Sequence, residues 1–143
     1  MKISKELGES LEKYEYFVPY VESYSAWSRQ MNGVPSNYKC FLGTRILDPA
    51  DRELMDTLPI LTDEDARVID LAAAKVVSRS QSKKRLFDLL VISGWDCVDL
   101  YFSFPSLRKL MKVNHQKFSV PVLEAKRREL IEAVRLVLID FVK

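Results

Sequence analysis

The chain has 143 residues, which is enough for one domain with a substantial core but too few for two. Hydrophobic residues make up 48% of it and charged residues 29%, a balance that is typical of soluble globular proteins and excludes a disordered chain. No apolar run approaches the roughly 20 residues that span a bilayer. The charged start, MKISKELGESLEK, has no apolar stretch of the secretory type, so we expect a cytoplasmic protein without membrane contacts.

The net charge of +2 conceals opposite balances in the two halves of the chain. Residues 1–75 carry 9 Lys and Arg against 13 Asp and Glu, whereas residues 76–143 carry 13 against 7. A basic half indicates an acidic partner such as nucleic acid, although charge says nothing about the fold.

Residues that could carry catalytic or metal chemistry are sparse. Cys40 and Cys97 lie far apart, and in a reducing cytosol we expect both to be buried free thiols. Together with the single histidine, His115, they do not have the spacing of a zinc motif. The chain also has no glycine-rich phosphate loop and no Ser/His/Asp or Cys/His arrangement. We therefore predict that the protein is not an enzyme and that it binds no metal, cofactor or small-molecule substrate.

The N-terminal part, residues 1–61, begins with helical patterns. Ser4 can cap a helix that runs to about Phe17, and Pro19 predicts a kink or a restart. Gly33 and Pro35 end the second segment. Its apolar residues share one helical face, which is more typical of a core than of a base-stacking platform: Tyr20, Val21, Tyr24, Trp27 and Met31.

Two further elements complete this part. The interval 32–47, which has two glycines and a proline, predicts a loop that packs several apolar side chains. Asp48 and Pro49 then predict a short helix to about Leu58, because aspartate favours the capping position and proline the first helical position.

The C-terminal part, residues 62–143, opens with a strong helix start. Thr62 supplies a capping hydroxyl, the acidic run Asp63–Asp65 suits the positive end of the helix dipole, and Asp65 holds the capping-box position. Ser80–Ser82 separates this helix from a second one, which Gly94 caps at its C-terminal end. The inward residues are Val68, Ile69, Ala72, Ala73, Val76 and Val77 on the first helix, and Leu86, Phe87, Leu89, Leu90 and Ile92 on the second. We interpret the following WDCVDLYFSF as a buried, turn-rich or helical connector.

The stretch from Ser106 to Arg128 has the pattern of two helices joined by a polar break. Ser106 can cap a first helix whose apolar face extends from Leu107 to Val113, and Asn114–Lys117 interrupts the periodicity. Ser119 offers a second cap, Pro121 is tolerated in a first turn, and apolar spacing then continues to about Phe141. This is the layout of a helix-turn-helix, whose second helix enters the DNA major groove. The whole pattern predicts an all-α single domain with a helix-turn-helix and a long C-terminal helix.

The cations of this stretch predict a phosphate-contacting surface. The stretch contains only one acidic residue, Glu124, against seven cations: Arg108, Lys109, Lys112, Lys117, Lys126, Arg127 and Arg128. A second candidate patch is Lys83, Lys84 and Arg85, where cations in a first turn oppose the helix dipole. The alternative is that these residues merely form a solvated face, because two amphipathic helices joined by a polar turn occur in most all-helical domains.

Several motifs resemble the phage late-gene antitermination Q proteins of the small type without zinc. The matching positions are Trp27, the turn Gly33–Ser36, the acid-led helix from Asp63 to Ile69, the basic-leucine helix from Lys84 to Gly94, and the closing helix from Ala125 onward. The interval between Gly94 and Ala125 is longer than in that family by about two turns of helix.

The resemblance implies a specific task in the cytoplasm of a bacterial host. Proteins of this family bind double-stranded DNA at a late promoter, load onto RNA polymerase holoenzyme and narrow its RNA exit channel, so that terminator hairpins cannot form. Such a protein needs a polymerase-binding surface besides its DNA-binding surface. Our candidates for it are Tyr38, Lys39 and Phe41 in the 32–47 loop, since loops on a helical scaffold commonly carry contacts.

Two other functions stay open at this point. The protein could be a helix-turn-helix activator that binds DNA and stimulates initiation without travelling with polymerase. It could also be a small helical inhibitor or adaptor that binds a protein and no DNA. Salt-dependent DNA binding would distinguish the antiterminator and the activator from the adaptor. Terminator read-through would then distinguish the antiterminator from the activator.

Overall fold

The computed structural model describes residues 2–32 and 58–143, and within them it confirms an all-α fold with a long C-terminal helix. Those residues form seven α-helices and one π-helical turn, and they contain no strand. In chain order the elements are α1 (Lys5–Ser10), α2 (Tyr14–Asn32), α3 (Asp63–Val77), α4 (Gln81–Phe87), the π turn (Asp88–Ile92), α5 (Cys97–Ser103), α6 (Leu107–Leu110) and α7 (Val120–Val142). The predicted 32–47 loop and the helix predicted to start at Asp48 lie outside the described residues.

The first helix is capped as predicted but ends earlier. The Ser4 hydroxyl accepts a hydrogen bond from the backbone N–H of Leu7 at 3.3 Å, and α1 then stops at Ser10. The restart predicted as one alternative at Pro19 is wrong, because Pro19 lies inside α2. It falls in the second turn, so the helix lacks one backbone hydrogen bond near its start. The helix continues through this position because Phe17 and Val21 bury one apolar face.

The start of α3 shows a local cap and a long-range one. The Thr62 hydroxyl accepts from the backbone N–H of Asp65 at 3.1 Å, as predicted. The Asp65 carboxylate accepts from the backbone N–H of Ser4 at 3.0 Å, so it joins α3 to the start of α1. Its predicted capping-box role is therefore replaced by a tertiary contact, which explains why this carboxylate is buried.

The core is built around α7, which packs against α3, α5, α2 and the π turn. Its buried residues recur at helical spacing, as the sequence predicts: Leu123, Leu130, Ile131, Val134 and Leu138. Each fully buried side chain of this size contributes roughly 1.5–3 kcal/mol of transfer free energy. This helix therefore positions the surrounding elements.

The π turn departs from the predicted continuous α-helix. The backbone N–H of Ser93 donates to the Asp88 carbonyl at 2.8 Å, five residues earlier. Two side chains of α2 bind the last carbonyls: the Ser25 hydroxyl donates to Val91 at 2.8 Å and Arg29 to Ile92 at 2.7 Å. Because these partners come from another helix, the local sequence pattern could not predict the wider turn.

Three junctions between helical elements share one backbone device. Arg79, Gly94 and Lys112 adopt positive φ values of 72°, 79° and 57°, respectively. One or two residues after each of them, a polar side chain accepts a hydrogen bond from the backbone N–H three residues further on. The three pairs are Ser80 with Lys83, Asp96 with Asp99, and Asn114 with Lys117. The predicted C-terminal cap at Gly94 is confirmed, and a Cβ there would stand 2.7 Å from the Arg29 guanidinium. Each junction thus combines a left-handed residue with a side-chain hydrogen bond to a backbone N–H.

Of the two alternatives for residues 95–104, a turn-rich or a helical connector, the helical one is confirmed, but the expected burial is wrong for its outer face. Asp96 caps a regular helix, α5, in which Cys97 and Leu100 are buried. Val98 and Phe102 lie on its outer face, with 49% and 74% of their surfaces exposed. Cys97 is a buried free thiol as predicted, and burial raises its pKa despite the opposing effect of Arg127. Cys40 lies outside the described residues.

Candidate nucleic-acid interface

The predicted helix, break and helix are present near residue 106, but their proportions differ from the prediction. The first helix, α6, has only four residues, and the break extends from residue 111 to residue 119. Ser106 and Ser119 occupy capping positions, yet neither side chain makes the predicted capping hydrogen bond. Pro121 lies in the first turn of α7 as expected. The break is longer than the three or four residues of a standard helix-turn-helix.

The two helices that carry most of these cations, α4 and α6, pack against each other. Arg108 and Lys109 lie on α6, and the predicted second patch, Lys83–Arg85, lies on α4. Lys84, Arg85 and Lys109 are exposed. The packing therefore brings into contact two helices whose basic segments are separate in the sequence.

The break adds two exposed cations, Lys112 and Lys117. Lys112 follows α6 and holds the left-handed conformation described above. The backbone N–H of Lys117 binds both the side-chain oxygen of Asn114, at 3.3 Å, and its carbonyl, at 3.0 Å. This turn fixes the backbone that carries Lys117, although no regular helix forms there.

These residues have no carboxylate of the described chain within 4.0 Å of their charged groups. We call them the α4–α6 basic group: Lys83, Lys84, Arg85, Arg108, Lys109, Lys112 and Lys117. Lys84 acts on its neighbour Asp88 only at longer range, where burial raises the pKa of that carboxyl and Lys84 opposes the rise. The group thus offers cations whose charge no intramolecular ion pair within the described residues neutralises.

The other predicted cations, Lys126, Arg127 and Arg128, form the α7 basic turn and have a different environment. Lys126 pairs with Glu129 at 3.3 Å, and Arg128 pairs with Glu15 of α2 at 3.8 Å. The Arg128 guanidinium also lies 4.2 Å from the centre of the Tyr14 ring. Tyr14 is partly buried, and burial raises its pKa although Arg127 and Arg128 oppose that rise.

Arg127 is the third member of the α7 basic turn and points partly inward. Its Nε atom is buried and has no hydrogen-bond partner among the described atoms. Two of the three cations of the α7 basic turn thus already have a counter-charge, and the pair of Arg128 with Glu15 links α7 to α2. The predicted polymerase-binding candidates Tyr38, Lys39 and Phe41 lie outside the described residues.

Phe102, which the sequence pattern did not single out, is an exposed aromatic residue on α5, the helix that precedes α6. The Phe102 ring makes an edge contact with Tyr101 at 5.1 Å, and Tyr101 stacks on Phe118 at 5.2 Å. Phe118 directly follows Lys117. The D-x-x-D spacing from Asp96 predicts a helix start, and helical spacing from the buried Cys97 places residue 102 outward, so this signal was present in the sequence.

A cleft of about 990 Å³ lies between α2, α3 and α4. On its wall the Tyr24 hydroxyl donates to the Asp70 carboxylate at 2.6 Å. Burial, and then this hydrogen bond, raise the pKa of Tyr24, so the phenol stays protonated and serves as a structural donor.

Residues of the kinds that bind metals do not cluster in the described chain: no three His, Cys, Asp or Glu residues lie close enough there to hold a metal ion. None of the described helices is long and apolar enough to cross a membrane. Comparisons with protein-family models, with curated proteins and with solved structures found no match.

Proposed function

We propose that this protein binds double-stranded DNA through the α4–α6 basic group and acts as a phage transcription antiterminator. The observation that carries the DNA-binding part is the absence of neutralising carboxylates around these seven cations within the described residues. Phosphates would supply the missing counter-charges and release condensed counterions in doing so. The antiterminator part is supported by the motif resemblance, from the acid-led helix at Asp63 to the closing helix at Ala125.

The arrangement of the elements suits a backbone-contacting surface. The α4–α6 basic group extends over two packed helices and the break that follows α6, so its charges are spread over a surface and are not confined to one helix face. Long basic side chains on such a surface can follow the phosphates of a duplex, which positions the protein on DNA. Base reading would then come from neighbouring polar residues of the break, of which His115 and Gln116 are exposed.

The first experiment measures binding to a labelled promoter-length duplex as the salt concentration rises from about 50 to 200 mM. If all seven cations contact phosphates, we expect log K to fall against log salt with a slope of roughly −6. Undetectable or salt-independent DNA binding by the folded protein would contradict the proposal and favour the adaptor function.

The second experiment tests antitermination directly. Purified protein and bacterial RNA polymerase holoenzyme are incubated with a template that carries a phage late promoter and a downstream terminator. We expect the fraction of transcripts that pass the terminator to rise. More initiation with an unchanged read-through fraction would identify an initiation activator instead.

A further inference from the structure

The outer face of α5 carries an aromatic ring that the fold does not use. Phe102 has 74% of its surface exposed, although burying a phenylalanine side chain gains roughly 1.5–3 kcal/mol. Among the described residues its only ring contact is an edge-to-face contact with Tyr101, and most of the ring surface is open to solvent. Single exposed apolar residues are common on protein surfaces, and the significance of Phe102 comes from its neighbours.

Cations follow Phe102 closely along the chain, and another cation is adjacent in sequence to the ring that stacks on its neighbour Tyr101. In one direction the chain makes a tight turn, in which the backbone N–H of Leu107 donates to the Phe104 carbonyl at 3.0 Å, and the cations of α6 follow at once. In the other direction the Tyr101–Phe118 stack joins α5 to the break, where Lys117 is exposed. Phe102 is therefore connected to the α4–α6 basic group along the chain, which leads to Arg108, and through the stack of Tyr101 on Phe118, which precedes α7 and follows Lys117.

The chemistry of the surroundings indicates which ligand fits this ring. An exposed aromatic ring flanked by cations is the combination that binds unpaired bases, because the ring stacks on the base while the cations hold the adjoining phosphates. Asp99, one turn earlier on α5, would repel phosphates along the helix in that direction. The backbone path is therefore directed toward α6 and Lys117.

We infer that Phe102 is a base-stacking residue, which receives an unpaired base of a nucleic acid whose phosphates lie against the α4–α6 basic group. This inference rests on the proposed DNA binding and deepens it. It predicts a preference for DNA that contains a locally unpaired base over fully paired DNA. The stacking is sequence-tolerant, since every base has a π face.

The test compares two duplexes of identical sequence, one fully paired and one with a single bulged adenine. For the wild-type chain we expect about tenfold tighter binding to the bulged duplex, which is ~1.4 kcal/mol of stacking. Phe102→Leu, which keeps an apolar side chain but removes the ring, should bring the ratio of the two affinities close to one. Phe102→Trp should keep the ratio, and all variants should bind the fully paired duplex as the wild type does.

Val98→Ala is the matched control, because Val98 is exposed on the same face of α5 but has no ring. It should leave the ratio unchanged. A bulge also makes DNA easier to bend, so a preference that persists in Phe102→Leu would come from bending and would overturn the inference.

Four other results would also overturn the inference. A wild-type ratio of one, with normal binding to both duplexes, leaves the proposed DNA binding intact and removes only the stacking role. An equal loss of affinity for both duplexes in Phe102→Leu would make the residue an ordinary duplex contact. If Phe102→Leu loses terminator read-through while its DNA binding is unchanged, the ring contacts a protein. No binding of the wild type to either duplex would refute the proposed function together with the inference.

Discussion

Two groups of cations that look alike in the sequence have different environments in the structure. The α4–α6 basic group has no carboxylate of the described chain within ion-pair distance. In the α7 basic turn, Lys126 is paired with Glu129, and Arg128 is paired with Glu15 and lies over Tyr14. The charge density of a sequence segment therefore does not identify a ligand-binding surface. The positions of nearby carboxylates and aromatic rings decide that.

The two groups differ in the intramolecular contacts that an incoming phosphate must displace from the cations. A phosphate that approaches the α7 basic turn must compete with carboxylates and a ring already in contact with the cations. A phosphate at the α4–α6 basic group has no ion pair to displace within the described residues, and release of the DNA's own condensed counterions drives such binding. Four experiments test this contrast, ordered by the size of their expected effect on DNA binding.

The largest effect should come from Arg108→Ala combined with Lys109→Ala. If each cation contacts one phosphate, the salt slope should become shallower by roughly two units. Stability should change by less than about 0.5 kcal/mol per site, since both residues lie at the surface. Lys2→Ala with Lys5→Ala makes the same change in net charge and should leave the slope nearly unaltered. A double α6 variant with the wild-type slope would remove α6 from the interface.

Lys112→Gly should make the salt slope shallower by roughly one unit, half the effect of the α6 double variant, because it removes one cation. The same change should raise stability by at most about 1 kcal/mol, since relief of the left-handed backbone is partly offset by glycine's greater freedom in the unfolded chain. Titration in different salt concentrations and urea unfolding measure the two effects. Arg79→Gly, at the other left-handed basic residue, should reproduce the stability change without the slope change. If Lys112→Gly leaves the slope unaltered, Lys112 does not contact phosphate.

Lys126→Ala with Arg128→Ala should change the salt slope by less than roughly one unit, although it removes as many charges as the α6 double variant. It should lower stability by about 0.5–1 kcal/mol, mainly because the contact between Arg128 and Tyr14 is lost. On the same preparation, chemical unfolding measures the change in stability and DNA titration measures the change in salt slope. A loss of two slope units would show that phosphates displace the intramolecular partners, and the contrast between the two groups would then be wrong.

Arg135→Lys should not alter the slope at all but should lower stability by about 1 kcal/mol. Arg135 donates through Nε and Nη2 to Glu132, at 2.8 and 2.6 Å, and through Nη1 to the Leu11 carbonyl at 2.6 Å. Lysine cannot reproduce this fork. Urea unfolding at neutral pH measures the loss, and Arg67→Lys at an exposed position of α3 is the control.

The pH dependence of that difference has a definite sign. Hydrogen bonds from Arg135 lower the pKa of Glu132 below its ordinary value. The contribution to stability is therefore present above the unfolded-state pKa of about 4.3 and is lost as the pH falls through the lowered folded-state pKa. The stability difference between wild type and Arg135→Lys should shrink in acid. A difference that grows on acidification would show that the Glu132 contact is not its source.

Much of the helical scaffold could be predicted because its determinants are local. The caps at Ser4 and Thr62, the turn at Gly94 and the apolar spacing of α7 all depend on residues within a few positions of one another. A local hydrogen bond or a helical face forms wherever its residues occur in the right order. The position of the first interruption was mispredicted at Pro19, because burial of Phe17 and Val21 on α2 outweighs one missing hydrogen bond.

Within the candidate site, the sequence by itself determined which residues are cationic and which of them follow helix starts. It could not determine that Arg128 meets Glu15 and Tyr14, that α4 lies against α6, or that residues of α2 hold the π turn after α4. Each of those contacts joins residues far apart in the chain, so it exists only once the helices have packed. The outward position of Phe102, by contrast, follows from helical spacing once α5 starts after Asp96. Tertiary structure decided the partners of each charge and ring, because ion pairs and stacking act over a few ångströms of space and are indifferent to distance along the chain.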